Sequence, residues 1–200
     1  MTSDPAPVSP RITELLKLVS SGDRSALGEV YSQLYTELKR SARARLYQQG
    51  RGDSLGTTTL LHESFLRLLK TQDLRLEDRR HFFAYAARAM RNIIIDSARG
   101  QLAERRGGGA VHETLGGDAA LAVSSTASEE LIAVGHALSK METVDSELAE
   151  TVEMIYFGGY TESEVAELQG VSERTVRRRW QKARVWLFTA LGGSDSIGQR

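Results

Sequence analysis

The chain has 200 residues, 40% of them apolar, and a formal charge of zero, which excludes wholesale disorder and suits one medium domain or two small ones. With no cysteine, disulfides, thiolate nucleophiles and thiolate zinc sites are ruled out. No run approaches the ~18 apolar residues that cross a bilayer, and residues 1–10 lack the basic start and apolar stretch of a secretory signal, so a cytoplasmic protein without a membrane partner is expected.

In chain order, residues 1–10, with all three prolines, read as a disordered lead. Ile12, Leu15, Leu16 and Val19 then recur at the spacing of one helix face. Asp23 is placed to cap a second helix, whose stripe runs through Leu27, Val30, Tyr31, Leu34, Tyr35 and Leu38. Gly50, Gly52 and Gly56 break the pattern into a loop. A third helix is predicted over 57–70 and a fourth from His81 to about Arg105. Residues 107–127, with Gly107-Gly108-Gly109 and Gly116-Gly117, read as a flexible linker. Helices follow at about 128–141, 145–157, 161–168 and 172–191, and 192–200 is a tail. No strand pattern is convincing. The expected fold is all-α: two small helical domains, 11–106 and 128–191, joined by a flexible linker, the second with a helix-turn-helix.

Charge is unevenly laid out. Residues 11–106 carry a balance of +7, residues 107–171 of −11 and residues 172–191 of +5. Two basic blocks around an acidic one suggest two places that meet polyanions. In the second, Thr161 and Glu164 fit a capping box, Val165 and Leu168 face inward, Gly170 suits a tight turn and Ser172 caps the last helix. Val176, Trp180, Ala183 and Leu187 share one face of that helix. Arg174, Thr175, Arg178, Gln181 and Lys182 share the other, with Arg177 and Arg184 on its flank, an arrangement that fits a DNA major groove.

In the first basic block, Arg88, Arg91, Arg99, Arg105 and Arg106 accompany Phe82, Phe83, Tyr85 and Ile93-Ile-Ile95. Arginines interleaved with rings engage single-stranded DNA through phosphates and stacking, although most of these rings are needed for a core and Tyr85 is the best candidate to stack. Asn92 and Asp96, four apart, could equally pair along one helix face. On the preceding helix Leu61, Phe65, Leu68 and Leu69 face inward, and Glu63, Arg67 and Lys70 form an outer face with an expected Glu63–Arg67 pair. His62-Glu63 does not begin a zinc-protease motif, because position 66 is Leu. His62, His81, His112 and His136 are scattered, with no nucleophile–base pair, metal-ligand set or paired carboxylates. An enzyme, a cofactor and a metal are therefore not expected.

The ordered set Leu60-Leu-His-Glu-Ser-Phe-Leu-Arg-Leu68, Ala89-Met-Arg-Asn-Ile-Ile-Ile-Asp-Ser-Ala-Arg99, a linker, and Tyr160-Thr-Glu-Ser-Glu-Val-Ala through Arg179-Trp180 resembles the extracytoplasmic-function (ECF) group of sigma-70 factors. The resemblance implies sigma region 2 over 11–106 and region 4 over 128–191. It implies that His62, Glu63, Arg67 and Lys70 dock core RNA polymerase. Tyr85, Arg88, Arg91, Asn92, Asp96 and Arg99 would read and melt the minus-ten promoter element, and Arg174, Thr175, Arg177, Arg178, Gln181 and Lys182 would read the minus-thirty-five element. Polymerase would supply the catalysis. Typical members carry an acidic run before the docking helix; here no carboxylate lies between Asp53 and Glu63. Phosphate on Thr57, Thr58 or Thr59 would restore that charge, which would make a Ser/Thr protein kinase a partner, as an anti-sigma factor would be in other modes of control. The rival reading is a helix-turn-helix regulator that binds duplex DNA outside the polymerase holoenzyme. It accounts for 161–191 but not for the pattern from Arg88 to Arg99.

Overall fold

A computed structural model of the chain describes residues 10–48, 56–71, 76–106 and 125–193. All regular structure among them is helical: α1 (Pro10–Ser20), α2 (Ser25–Gln48), α3 (Thr57–Lys70), α4 (Arg79–Arg106), α5 (Ser125–Val144), α6 (Ser146–Val152), a π-helical turn (Glu153–Phe157) that continues α6, α7 (Glu162–Gln169) and α8 (Glu173–Ala190). The expected lead 1–9, most of the expected linker and loop, and most of the tail lie outside the described residues.

Local chemistry sets the boundaries. Pro10 stands at the first position of α1, where its missing N–H and fixed φ cost nothing, so the helix starts one residue inside the expected lead. The Asp23 carboxylate accepts from the Ser25 amide at 2.9 Å and closes the turn before α2. Asp145 caps α6 by accepting from the Leu148 amide at 3.0 Å. α5 begins at Ser125, three residues inside the expected linker, and α4 begins at Arg79, where Asp78 accepts from the His81 amide at 2.8 Å.

The apolar stripes meet in one continuous core. Leu16, Leu27, Val30, Leu60, Phe82, Met90 and Ile94 from the first helical set and Leu138, Met154, Phe157, Val165, Val176 and Ala183 from the second are all buried within it. α4 is its spine, touching α1, α3, α5, α7 and the π turn. Small residues make this possible: Ala86, Ala87, Ala89 and Ala98 are buried on α4, and Gly135 lets α5 approach so closely that a Cβ there would stand 2.3 Å from Ile95 Cδ1. Phe83 of α4 meets Tyr160 edge-on, centroids 5.6 Å apart. Burial of such large side chains, each contributing about 1.5–3 kcal/mol, joins the two helical sets across α4.

Candidate nucleic-acid interfaces and docking face

α7 and α8 are positioned by three local devices. Thr161 accepts from the Glu164 amide at 3.2 Å while the Glu164 carboxylate accepts from the Thr161 amide at 2.9 Å, completing the capping box. Burial would raise the Glu164 carboxyl, but the Thr161 amide and the Arg40 guanidinium outweigh it and hold the group below its ordinary value. Gly170 takes φ +64, a left-handed turn that only glycine adopts readily. Ser172 then caps α8, accepting from the Thr175 amide at 3.2 Å.

α8 buries Val176, Ala183 and Leu187, with Trp180 partly covered against the core. The opposite side presents Arg174, Arg177, Arg178, Gln181 and Lys182 exposed and Thr175 half-exposed. Arg177 is held by Glu162 at 2.9 Å and Lys182 by Asp145 at 2.9 Å. The Lys182 hydrogen bond, followed by that from the Leu148 amide, holds the Asp145 carboxyl below its ordinary value. Arg174 and Arg178 have no ion-pair partner among the described residues.

The α4 residues singled out from sequence are arranged differently. Arg91 is buried, and its guanidinium pairs with the Glu153 carboxylate, itself 1% exposed. Arg88 reaches the same carboxylate at 3.4 Å and Glu142 at 2.7 Å. Arg91 Nε also donates to Asn92 Oδ1 at 3.3 Å. Burial pushes the Glu153 carboxyl up from its ordinary value against the opposing pull of Arg91 and Arg88. Tyr85, expected to be the ring free to stack, is half-buried, packs against the core and shares a hydrogen bond between its hydroxyl and that of Thr71.

Asp96 pairs not with Asn92 but with Arg67 at 2.8 Å and Arg99 at 3.3 Å. Arg67 therefore leaves the expected Glu63 pair and ties α3 to α4, because the tertiary carboxylate lies closer than the one a turn away. Arg99 also lies 3.3 Å from His136 Nε2. Arg67, Arg91, Asn92, Asp96, Arg99 and His136 line one polar cleft between α3, α4 and α5. Docking-face and minus-ten candidates thus converge there. His62, Glu63 and Lys70 remain exposed on α3.

Glu153, Glu142 and Glu150 were not among the residues the sequence singled out. The available signal was a lone carboxylate, Glu153, inside the apolar run from Val152 to Phe157. At the head of α3, Thr57 is half-exposed and Thr58 and Thr59 are exposed; Gly56 provides no side-chain cap and the first turn holds no acid. Among the described residues no cluster of His, Cys, Asp or Glu could hold a metal, and no helix is long and apolar enough to cross a membrane.

A family model described as ECF sigma factor matches residues 9–193. The chain belongs to the ECF sigma factor family. Comparison with individually curated proteins found no match. As an ECF sigma factor it is a transcription-initiation factor and not itself a catalyst: it directs core RNA polymerase to promoters, with promoter DNA and the polymerase as its partners. The match covers every described helix of this sigma factor, so both cationic helices and the acidic stretch between them lie within the family's span.

Proposed function

We propose that this sigma factor divides promoter recognition between α4 and α8 while α3 holds the polymerase. α7 and α8 form the helix-turn-helix of region 4, and Arg174, Thr175, Arg177, Arg178, Gln181 and Lys182 read the minus-thirty-five element as duplex. Tyr85, Arg88, Arg91, Asn92, Asp96 and Arg99 read and melt the minus-ten element, and His62, Glu63, Arg67 and Lys70 dock the polymerase. The observation that carries this reading is the exposed row on α8 opposite buried Val176, Ala183 and Leu187: a fixed inner face aims Arg174 and Arg178 outward from the N-terminal half, where guanidinium forks meet guanine edges. Run-off transcription with purified core polymerase tests it. The chain should restore promoter-specific initiation; a duplex-binding regulator would bind DNA without restoring it.

Control by threonine phosphorylation belongs to the same proposal. The uncapped, acid-free start of α3 leaves its first amides and positive dipole end without an anion, and a phosphate on Thr57, Thr58 or Thr59 would supply nearly two negative charges there. The partner would be a Ser/Thr protein kinase. Core-polymerase pull-down should show Thr→Asp forms at these positions retained and Thr→Ala forms lost. Thr→Ala forms that bind as well as the kinase-treated wild type would remove the switch.

A further inference from the structure

We infer that the acidic edge made by Glu142, Glu150 and Glu153 is an intramolecular cover for the arginines of α4, standing where DNA phosphates would stand, so that the described conformation is a closed form that must open before α4 meets a promoter. The inference rests on the reading of α4 as the minus-ten face.

Three observations converge. Arg91 is 8% exposed and Glu153 1% exposed in their side chains, so a DNA strand cannot reach Arg91 without displacing the carboxylate. Arg88 is bridged to both Glu153 and Glu142, and Arg80 is gripped by both oxygens of Glu150, at 2.9 and 3.1 Å. A carboxylate offers a guanidinium the same paired oxygens as a phosphate, so the acidic edge satisfies the cations in DNA's absence. Apolar packing holds the cover in place: Gly135 sits against Ile95, one residue before Asp96, and Tyr160 sits against Phe83.

Closure of this kind is reversible by construction. Desolvating an ion pair offsets most of its Coulomb attraction, so Glu153 fixes the register of the two surfaces more than it binds them. DNA and polymerase, which need the α4 face bare, draw on the open fraction alone, and their apparent affinity is reduced by that fraction.

Because the chain has no cysteine, a disulfide can lock the cover without competing thiols. A Cβ on residue 135 would lie 3.3 Å from Ile95 Cγ1 and 3.8 Å from Cγ2, within the reach a disulfide needs. The full chain carrying Ile95→Cys and Gly135→Cys is titrated, oxidised and reduced, with a fluorescein-labelled random single-stranded DNA 20-mer at low salt. The oxidised form should bind at least fivefold more weakly than the same protein reduced, and dithiothreitol should restore binding. Glu153→Lys, which sets a third cation beside Arg88 and Arg91, should bind at least fivefold more tightly than wild type. Should Glu153→Lys lose its helical circular-dichroism signal, the disulfide alone decides. Equal binding by oxidised and reduced forms, with Arg99→Ala still weakening the reduced form, overturns the cover while leaving the minus-ten reading intact. Binding indifferent to Arg99→Ala overturns the minus-ten reading and the cover with it.

Discussion

Arg91 and Glu153, 62 residues apart in the chain, meet inside the molecule as an ion pair that solvent barely reaches. The arginine belongs to the basic block of α4 and the glutamate to the acidic stretch that follows, so the charge segregation along the sequence becomes charge neutralisation across one contact. Each side chain is positioned by its neighbours: Arg91 lies next to buried Met90 on α4, and Glu153 opens the π turn just after buried Val152.

Arg91→Ala should cost about 3 kcal/mol of folding stability at neutral pH, because a buried charge is left without its partner. Urea denaturation of the full chain measures it. In reconstituted polymerase the same variant should bind upstream duplex as wild type does but reduce permanganate reactivity over the melted region. Normal reactivity would remove Arg91 from the minus-ten face.

The pH dependence follows from the direction of the Glu153 shift. Its carboxyl titrates above the ordinary value of 4.5 in the folded chain, so its contribution to stability is full below that value and is lost as pH rises through the folded pKa. The stability of wild type minus that of Glu153→Gln should therefore fall between about pH 4.5 and pH 7. Urea midpoints for both proteins across that range check the sign; a difference that grows with pH would reverse it.

Two glycines should differ in what they tolerate. At Gly170 the space is open but φ is +64, so Gly170→Ala costs only the left-handed strain, about 1 kcal/mol. At Gly158 an added Cβ would stand 2.6 Å from the Met154 carbonyl oxygen and 2.7 Å from the Tyr160 ring. Backbone cannot yield cheaply there, and Gly158→Ala should cost about 2–3 kcal/mol. Thermal and chemical denaturation of the two variants should rank them in that order.

On α8, Arg178→Ala should weaken binding to the upstream element by roughly 1–3 kcal/mol and relax specificity at one base. Arg177 is already tied to Glu162, so Arg177→Ala should lower affinity for all DNA sequences alike, as loss of a phosphate contact does. Mobility shifts against promoter and scrambled duplexes separate the two outcomes.

The elements were largely legible from local signals. The bounds expected for the third helix, 57–70, are those of α3; the capping box of Thr161 and Glu164 and the turn at Gly170 are local chemistry and are present as expected. What sequence did not show is which surfaces meet. Periodicity told that α4 buries Phe82, Met90 and Ile94 but not that Ile95 and Arg91 of the same helix would lie under α5 and the π turn. Arginine reads as a solvent-facing residue, and a partner carboxylate dozens of residues away leaves no mark in spacing. Asp96 shows the same limit: Asn92 was the visible neighbour at helical spacing, whereas Arg67 on another helix is the actual partner.

The π turn between α6 and Gly158 has a consequence for geometry. Its wide ring, closed by the Gly158 amide on the Glu153 carbonyl at 2.8 Å, accommodates one more residue per turn than an α-helix would. Deleting a single residue from 153–157 would restore regular winding and rotate all that follows by about 100°. The azimuth of α8 relative to α4, and with it the phase at which the two could engage one double helix, is therefore set by the length of this one turn.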